Sequence, residues 1–259
     1  MKVKGMELRA AAEVTAACED DTLLVWAAQG MRGGVRAWTL GEAVAVASPE
    51  LNRRDRLTVR GQASQVAAVV RLALPELGPS YRLLGDRALI VELGERLPGT
   101  GPARPFEWMD TGPDAGGNTG GESAAADPGP AGWLQGADAE VGALLAGASP
   151  SSWAVPGLPG VRRWAGLRAA DGALVATAAD AWSCPQVGFV AGVATDVAHR
   201  GRGYARRVCR FAFAALAAEH GRVALMVDTD NRAAIGVYER LGMRGRPVAA
   251  ATVGATADG

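Results

Sequence analysis

At 259 residues the chain exceeds one common domain, so one large domain or two small ones is expected, with ample length for a core. Its 27 basic residues balance its 27 acidic ones, which removes the basic signature of a dedicated nucleic-acid binder. Only Lys2 and Lys4 are lysines, so no loop ending in Gly-Lys-Ser/Thr exists and P-loop nucleotide hydrolysis is excluded.

His199 and His220 are the two histidines, and Cys18, Cys184 and Cys209 form no paired spacing, so no metal site is expected. Sparse, odd-numbered cysteines suit a reducing compartment. No continuous apolar stretch follows the first lysines, and no apolar run reaches bilayer length. The expectation is a cytoplasmic protein with neither a membrane nor a nucleic-acid partner.

In chain order, 23–28 and 43–47 read as strands, 57–59 as a short strand, and 62–77 as a helix. In that helix Val66, Ala67, Val70 and Leu74 recur at helical spacing before Pro75. Residues 81–84 and 87–93 resemble a hairpin around Gly85-Asp86. Residues 98–132 then hold nine Gly and six Pro, too little apolar surface to offset ordering entropy. Phe106 to Met109 is its one apolar island and reads as a last strand. The expected organisation is an N-terminal mixed α/β domain over 1–109, a Gly/Pro/acidic linker over 110–131, and a second domain over 132–259.

The second domain reads as a short strand at 133–135, a helix over 137–148, and a hairpin of 161–169 and 173–179 turned by Asp171-Gly172. A strand at 187–195 leads through Gly201-Arg202-Gly203 into a helix to about Glu219, closed by Gly221. Val223 to Val227 is a continuous apolar run, as a strand buried on both faces requires. Asp230 or Asn231 caps a helix ended by Gly242, and a strand over 248–253 closes the chain.

The glycine loop is where chemistry enters. Glycines between a strand and a helix let backbone N–H groups approach an anion, and the helix dipole favours it there. A pyrophosphate is the ligand this geometry suits. The pattern R-x-x-G-x-G/A is weak on its own, because this composition yields about one match by chance. A second match, Arg96 to Gly101, runs into Pro102 and opens no helix. Only the loop at Arg200 follows an apolar strand and starts an amphipathic helix. A dinucleotide turn needs a third glycine where Arg206 stands, which disfavours that reading, with Asp228 as its only ribose acid.

Val193-Ala194-Thr195-Asp196-Val-Ala-His199-Arg200-Gly201-Arg202-Gly203-Tyr204-Ala205 resembles the pyrophosphate strand and loop of the GNAT superfamily of N-acetyltransferases. Asn231 to Met243, containing Tyr238 and Gly242, resembles its second signature, and the likeness runs over roughly 133–253. The resemblance implies an α/β fold with a mixed sheet, splayed where the strand at Val193 parts from that at Val223. It implies acetyl-CoA as cosubstrate, bound by Val193, Ala194, Thr195, Arg200, Gly201, Arg202, Gly203, Tyr204, Ala205 and Asn231, and no metal. The implied reaction is direct attack of a primary amine on the thioester. A backbone N–H near Thr195 is its oxyanion donor, and Tyr238 the acid that protonates the departing thiolate.

Residues 186–195 contain no Asp or Glu, so Asp196 and Asp228 at the strand ends are the candidate proton acceptors, and Asp196 is the catalytic candidate beside Tyr238. The acceptor is a small-molecule or peptide amine. Monomer and homodimer both stay open, as does a non-catalytic acyl-CoA-binding or regulatory role. The N-terminal domain is compatible with a degenerate copy of the same fold, in which Arg60 to Ala63 is at best a broken loop.

Overall fold

The computed structural model describes residues 5–112 and 129–254. The chain divides into two compact units that are not contiguous in sequence. One takes the described residues within Met1–Trp108, Val227–Asp230 and Gly245–Gly259, the other those within Met109–Met226 and Asn231–Arg244. Most of the span 110–131 expected as a linker lies outside the described residues.

The first unit begins with β1 (Met6–Leu8), α1 (Ala11–Ala17) and α2 (Thr22–Ala28). A hairpin meander follows of β2 (Arg36–Leu40), β3 (Ala43–Leu51) and β4 (Arg54–Arg60), then α3 (Ala63–Leu77), β5 (Arg82–Asp86), α4 (Arg87–Arg96) and β6 (Arg104–Asp110). Residues 23–28, read as a strand from their apolar run, are helical. The Asp21 carboxylate accepts the N–H groups of Leu23 and Leu24 and caps α2, and every residue of this helix is buried. An unbroken apolar run cannot distinguish a buried helix from a buried strand, and here the cap decides. The same device converts 87–93 from the expected hairpin into α4, because Asp86 accepts from Ala88 and Leu89.

Strands in this unit run in the order β1-β2-β3-β4-β5, and β5 pairs antiparallel with β12 (Arg244–Thr252) from the end of the chain. β4 and β5 are parallel, with Thr58 opposite Leu84. Val66, Val70, Leu83, Ile90 and Leu93 form the core under α3 and α4. On the opposite face the Ser48 hydroxyl donates to the Ala27 carbonyl, and the Trp26 and Trp108 rings stand 5.4 Å apart.

The second unit contains β7 (Gly132–Trp133), α5 (Asp138–Ala148), β8 (Val161–Arg168), β9 (Leu174–Ala181) and β10 (Gly188–Thr195). These are followed by α6 (Tyr204–His220), β11 (Val223–Val227) and α7 (Arg232–Arg240). Its strand order is β11-β10-β9-β8-β7, with β10 and β11 parallel and the rest antiparallel. Val208, Cys209, Ala212, Phe213 and Leu216 form the buried stripe of α6. Gly221 ends α6 at φ 83, the left-handed region where a Cβ is costly.

Among the described residues no helix is long and apolar enough to cross a membrane, and no group of metal-binding side chains is found.

Candidate functional site

β10 is the strand on which the site is built. Its parallel pairing with β11 runs Gly188 to Val223, Phe189 to Ala224 and Val190 to Leu225, and the register stops there. On its other edge the ladder with β9 shifts register between Ala191 and Ala194, a β-bulge. Gly192 sits in that bulge at φ 60, and a Cβ there would lie 2.7 Å from the Trp164 ring. Both its backbone angle and its neighbour therefore require glycine. The segment from Ala191 to Thr195 leaves β11, as the expected splay demands.

Beyond Thr195 the chain turns through residues 196–203. Asp196 caps a short 3-10 turn (Val197–His199), accepting the Ala198 N–H at 3.0 Å. Its same oxygen lies 2.7 Å from His199 Nδ1, and this pairing holds the Asp196 carboxyl below its ordinary range. Gly201 and Gly203 have φ 77 and 78, and a Cβ on either would meet no atom within 4 Å. These glycines are thus required by backbone angle alone. α6 opens at Tyr204 without a side-chain cap, so its first N–H groups have no partner within a capping motif.

Between the parted β10, this loop and α7 lies a cleft of ≈ 690 Å³. Val193, Ala194 and Thr195 line one wall; Arg200, Gly201, Gly203, Tyr204 and Ala205 line its loop end. Asn231 and Tyr238 line the α7 side. Asn231 rather than Asp230 is the cap, its side chain accepting the Ala234 N–H at 3.1 Å. Arg202 and Asp196 do not line the cleft, whereas His199, Arg206 and Arg240 do. Asp228 is exposed.

Arg200 is differently employed than its motif position suggests. Its guanidinium donates to the Ala148 carbonyl at the end of α5 at 2.8 Å and to the Thr195 carbonyl at 3.4 Å. Those bonds tie the loop to α5 and to the end of β10. A sequence pattern cannot register this, because Ala148 lies 52 positions away.

Tyr238 is 6% exposed, with its ring 6.2 Å from that of Phe213. Burial, with a further contribution from Cys209, pushes the phenol pKa well above its ordinary value, so it is a proton carrier at neutral pH. The Cys209 thiol, fully buried on α6, is pushed up to about 12 by burial, and a protonated, inaccessible thiol is no nucleophile. Thr195 Oγ1 is a buried oxygen without a hydrogen-bond partner in the cleft wall.

Near the end of β9, Asp180 is fully buried and receives Arg163 at 3.0 Å and the Ser183 hydroxyl at 2.6 Å. Glu219 at the end of α6 receives both Arg162 and Arg163. This network joins β8, β9 and α6.

Residues 151–243 match the model of the Acetyltransferase (GNAT) family. No curated protein sequence matches the chain. A GCN5-related N-acetyltransferase from Kribbella flavida is similar in fold over 96% of each chain, at 20% identity and a TM-score of 0.55. One from Sphaerobacter thermophilus aligns over 95% of this chain and 94% of its own, at 18% identity and the same TM-score of 0.55. A GNAT-family acetyltransferase from Colwellia psychrerythraea aligns over 97% and 100%, at 12% identity and a TM-score of 0.52. The fold expected from the two signatures is the fold observed, and residues 151–243 are the part of the chain that matches the GNAT family model.

Proposed function

We propose that the protein transfers an acetyl group from acetyl-CoA to a primary amine, in a small molecule or a peptide, by direct attack. One observation carries this reading. The 690 Å³ cleft combines a parted strand, an uncapped glycine loop and a buried protonated phenol. The backbone of Val193 to Thr195 offers an extended edge to the pantetheine arm, and the first N–H groups of α6 suit its pyrophosphate. In the reaction the amine nitrogen forms a bond to the thioester carbon, and the carbon–sulfur bond breaks. The departing thiolate takes the Tyr238 proton, and the proton lost by the nitrogen passes to water. A backbone N–H beside the bulge meets the developing oxyanion, where fixed dipoles are most effective.

Asp196 is an unpromising base in this scheme, since its lowered pKa and its bond to His199 weaken its pull on a proton.

The first unit supports a second part of the reading, that it is a copy of the fold without a cosubstrate site. Its order from β2 to α4 repeats that from β8 to α7, including a parallel strand pair bridged by a helix. Only Gly61 and Gln62 join β4 to α3, where residues 196–203 join β10 to α6. Gly85 on β5 sits so close to β4 that a Cβ would lie 2.6 Å from the Val59 carbonyl oxygen. The two strands stay together and no loop is left to hold a phosphate.

Calorimetric titration with acetyl-CoA, with NAD as control, tests both parts. One acetyl-CoA site per chain is expected, followed by CoA release in an amine panel. Two sites would overturn the reading of the first unit. Binding without turnover on any amine would favour a regulatory acyl-CoA-binding module, and no binding would overturn the assignment of the loop.

A further inference from the structure

The loop's charged side chains do not divide their work as the motif suggests. Arg200 spends its guanidinium on the Ala148 and Thr195 carbonyls. Arg202 does not line the cleft, whereas His199 does, two positions before Gly201. Asp196 accepts from His199 Nδ1 at 2.7 Å, and the carboxylate is itself held by the Ala198 N–H. A carboxylate bound to one ring nitrogen fixes the imidazole's orientation, and in the imidazolium form the other nitrogen, Nε2, donates to an anionic ligand.

Position along the chain separates a phosphate role from a proton-transfer role. The bulge that carries the oxyanion donor lies at Ala191 to Ala194, and the strand then runs on to Thr195 before the turn begins. His199 therefore belongs to the loop end of the cleft, beside Gly201, Gly203 and Tyr204. Its ring centroid is 6.2 Å from that of Tyr204, the first residue of α6.

We propose that His199, oriented by Asp196, is a phosphate-binding residue of the acyl-CoA site, adding a side-chain donor to a loop whose Arg200 guanidinium is tied to the Ala148 and Thr195 carbonyls. Asp196 is then a positioning residue. The proposal rests on the acetyl-CoA reading above and concerns the pyrophosphate end of that same cleft. A charge-assisted bond from an imidazolium to a phosphate oxygen is stronger than a neutral one, and in an open cleft about tenfold in affinity is expected from it.

The test compares two cosubstrates, acetyl-CoA and S-acetylpantetheine, which carries the same thioester without the phosphates. For His199→Gln, the ratio of kcat/KM for acetyl-CoA to that for S-acetylpantetheine should fall roughly tenfold. His199→Lys, which restores a cation but not an imidazole, should recover most of that ratio. Asp196→Asn should lose part of it. Equal losses with both cosubstrates would show a proton-transfer or purely structural role and overturn the proposal, as would an unchanged ratio. If the unaltered protein fails to bind CoA in calorimetry, the underlying acetyl-CoA reading falls; a failure confined to the variants removes only the role of His199.

Discussion

Replacing Gly192 by alanine tests how the bulge in β10 is held. The glycine is at φ 60, and placing a Cβ in the left-handed region costs roughly 1–2 kcal/mol. The added carbon would also come 2.7 Å from the Trp164 ring and 3.2 Å from the Ala154 methyl. Overpacking of that kind costs about 1–3 kcal/mol. The two effects differ in origin, so Gly192→Ala should destabilise the protein by roughly 2–5 kcal/mol. Trp164→Leu combined with it separates them, since the smaller side chain relieves the clash and leaves the backbone strain. Urea unfolding followed by far-UV circular dichroism on the four proteins of the cycle gives the coupling. It should be about 1–3 kcal/mol, in the sense that the double variant is more stable than the sum of the singles. A coupling under about 0.5 kcal/mol would show that the ring does not confine Gly192, and the account of the bulge would fail.

Tyr238→Phe should lower turnover by roughly 10²- to 10⁴-fold with acetyl-CoA affinity nearly unchanged; full turnover in steady-state assays would remove the phenol as the acid. Gly203→Val places a branched side chain at φ 78 with open space around it, so acetyl-CoA affinity should drop far more than stability does, and unaltered binding by calorimetry would refute the loop assignment. Glu219 is held below its ordinary 4.5 by Arg163 first and then by Arg162. A depressed carboxyl contributes stability that is full above pH 4.5 and is lost as pH falls through the lower folded value. Glu219→Gln should therefore flatten the fall in unfolding temperature below pH 4.5, and an unchanged slope would dismiss the pairing as an acid-sensitive contact.

The sequence alone determined the second unit well, because its signals are local. Gly221 and Gly242 mark helix ends, and Asn231 caps α7 through a bond three residues away. The order from Val187 to Gly242, with its loop and its tyrosine, was enough to reveal both the cleft and most of its walls. The first unit was misread at α2, which is short and wholly buried, and at α4, of which only Ile90 and Leu93 are buried; the two helices are capped by Asp21 and Asp86. An apolar run such as 23–28 carries no period when every face is buried, and the Asp21 cap together with packing on both sides decides for the helix. Tertiary structure also decided the fate of single side chains. Arg200 turns to a carbonyl 52 residues away, and His199 lines the cleft. Pairing β5 with β12 brings Arg82 opposite Thr252. Such partners are set by the closing of the sheet and the fit of its core, and a linear pattern holds no record of distances that only folding creates.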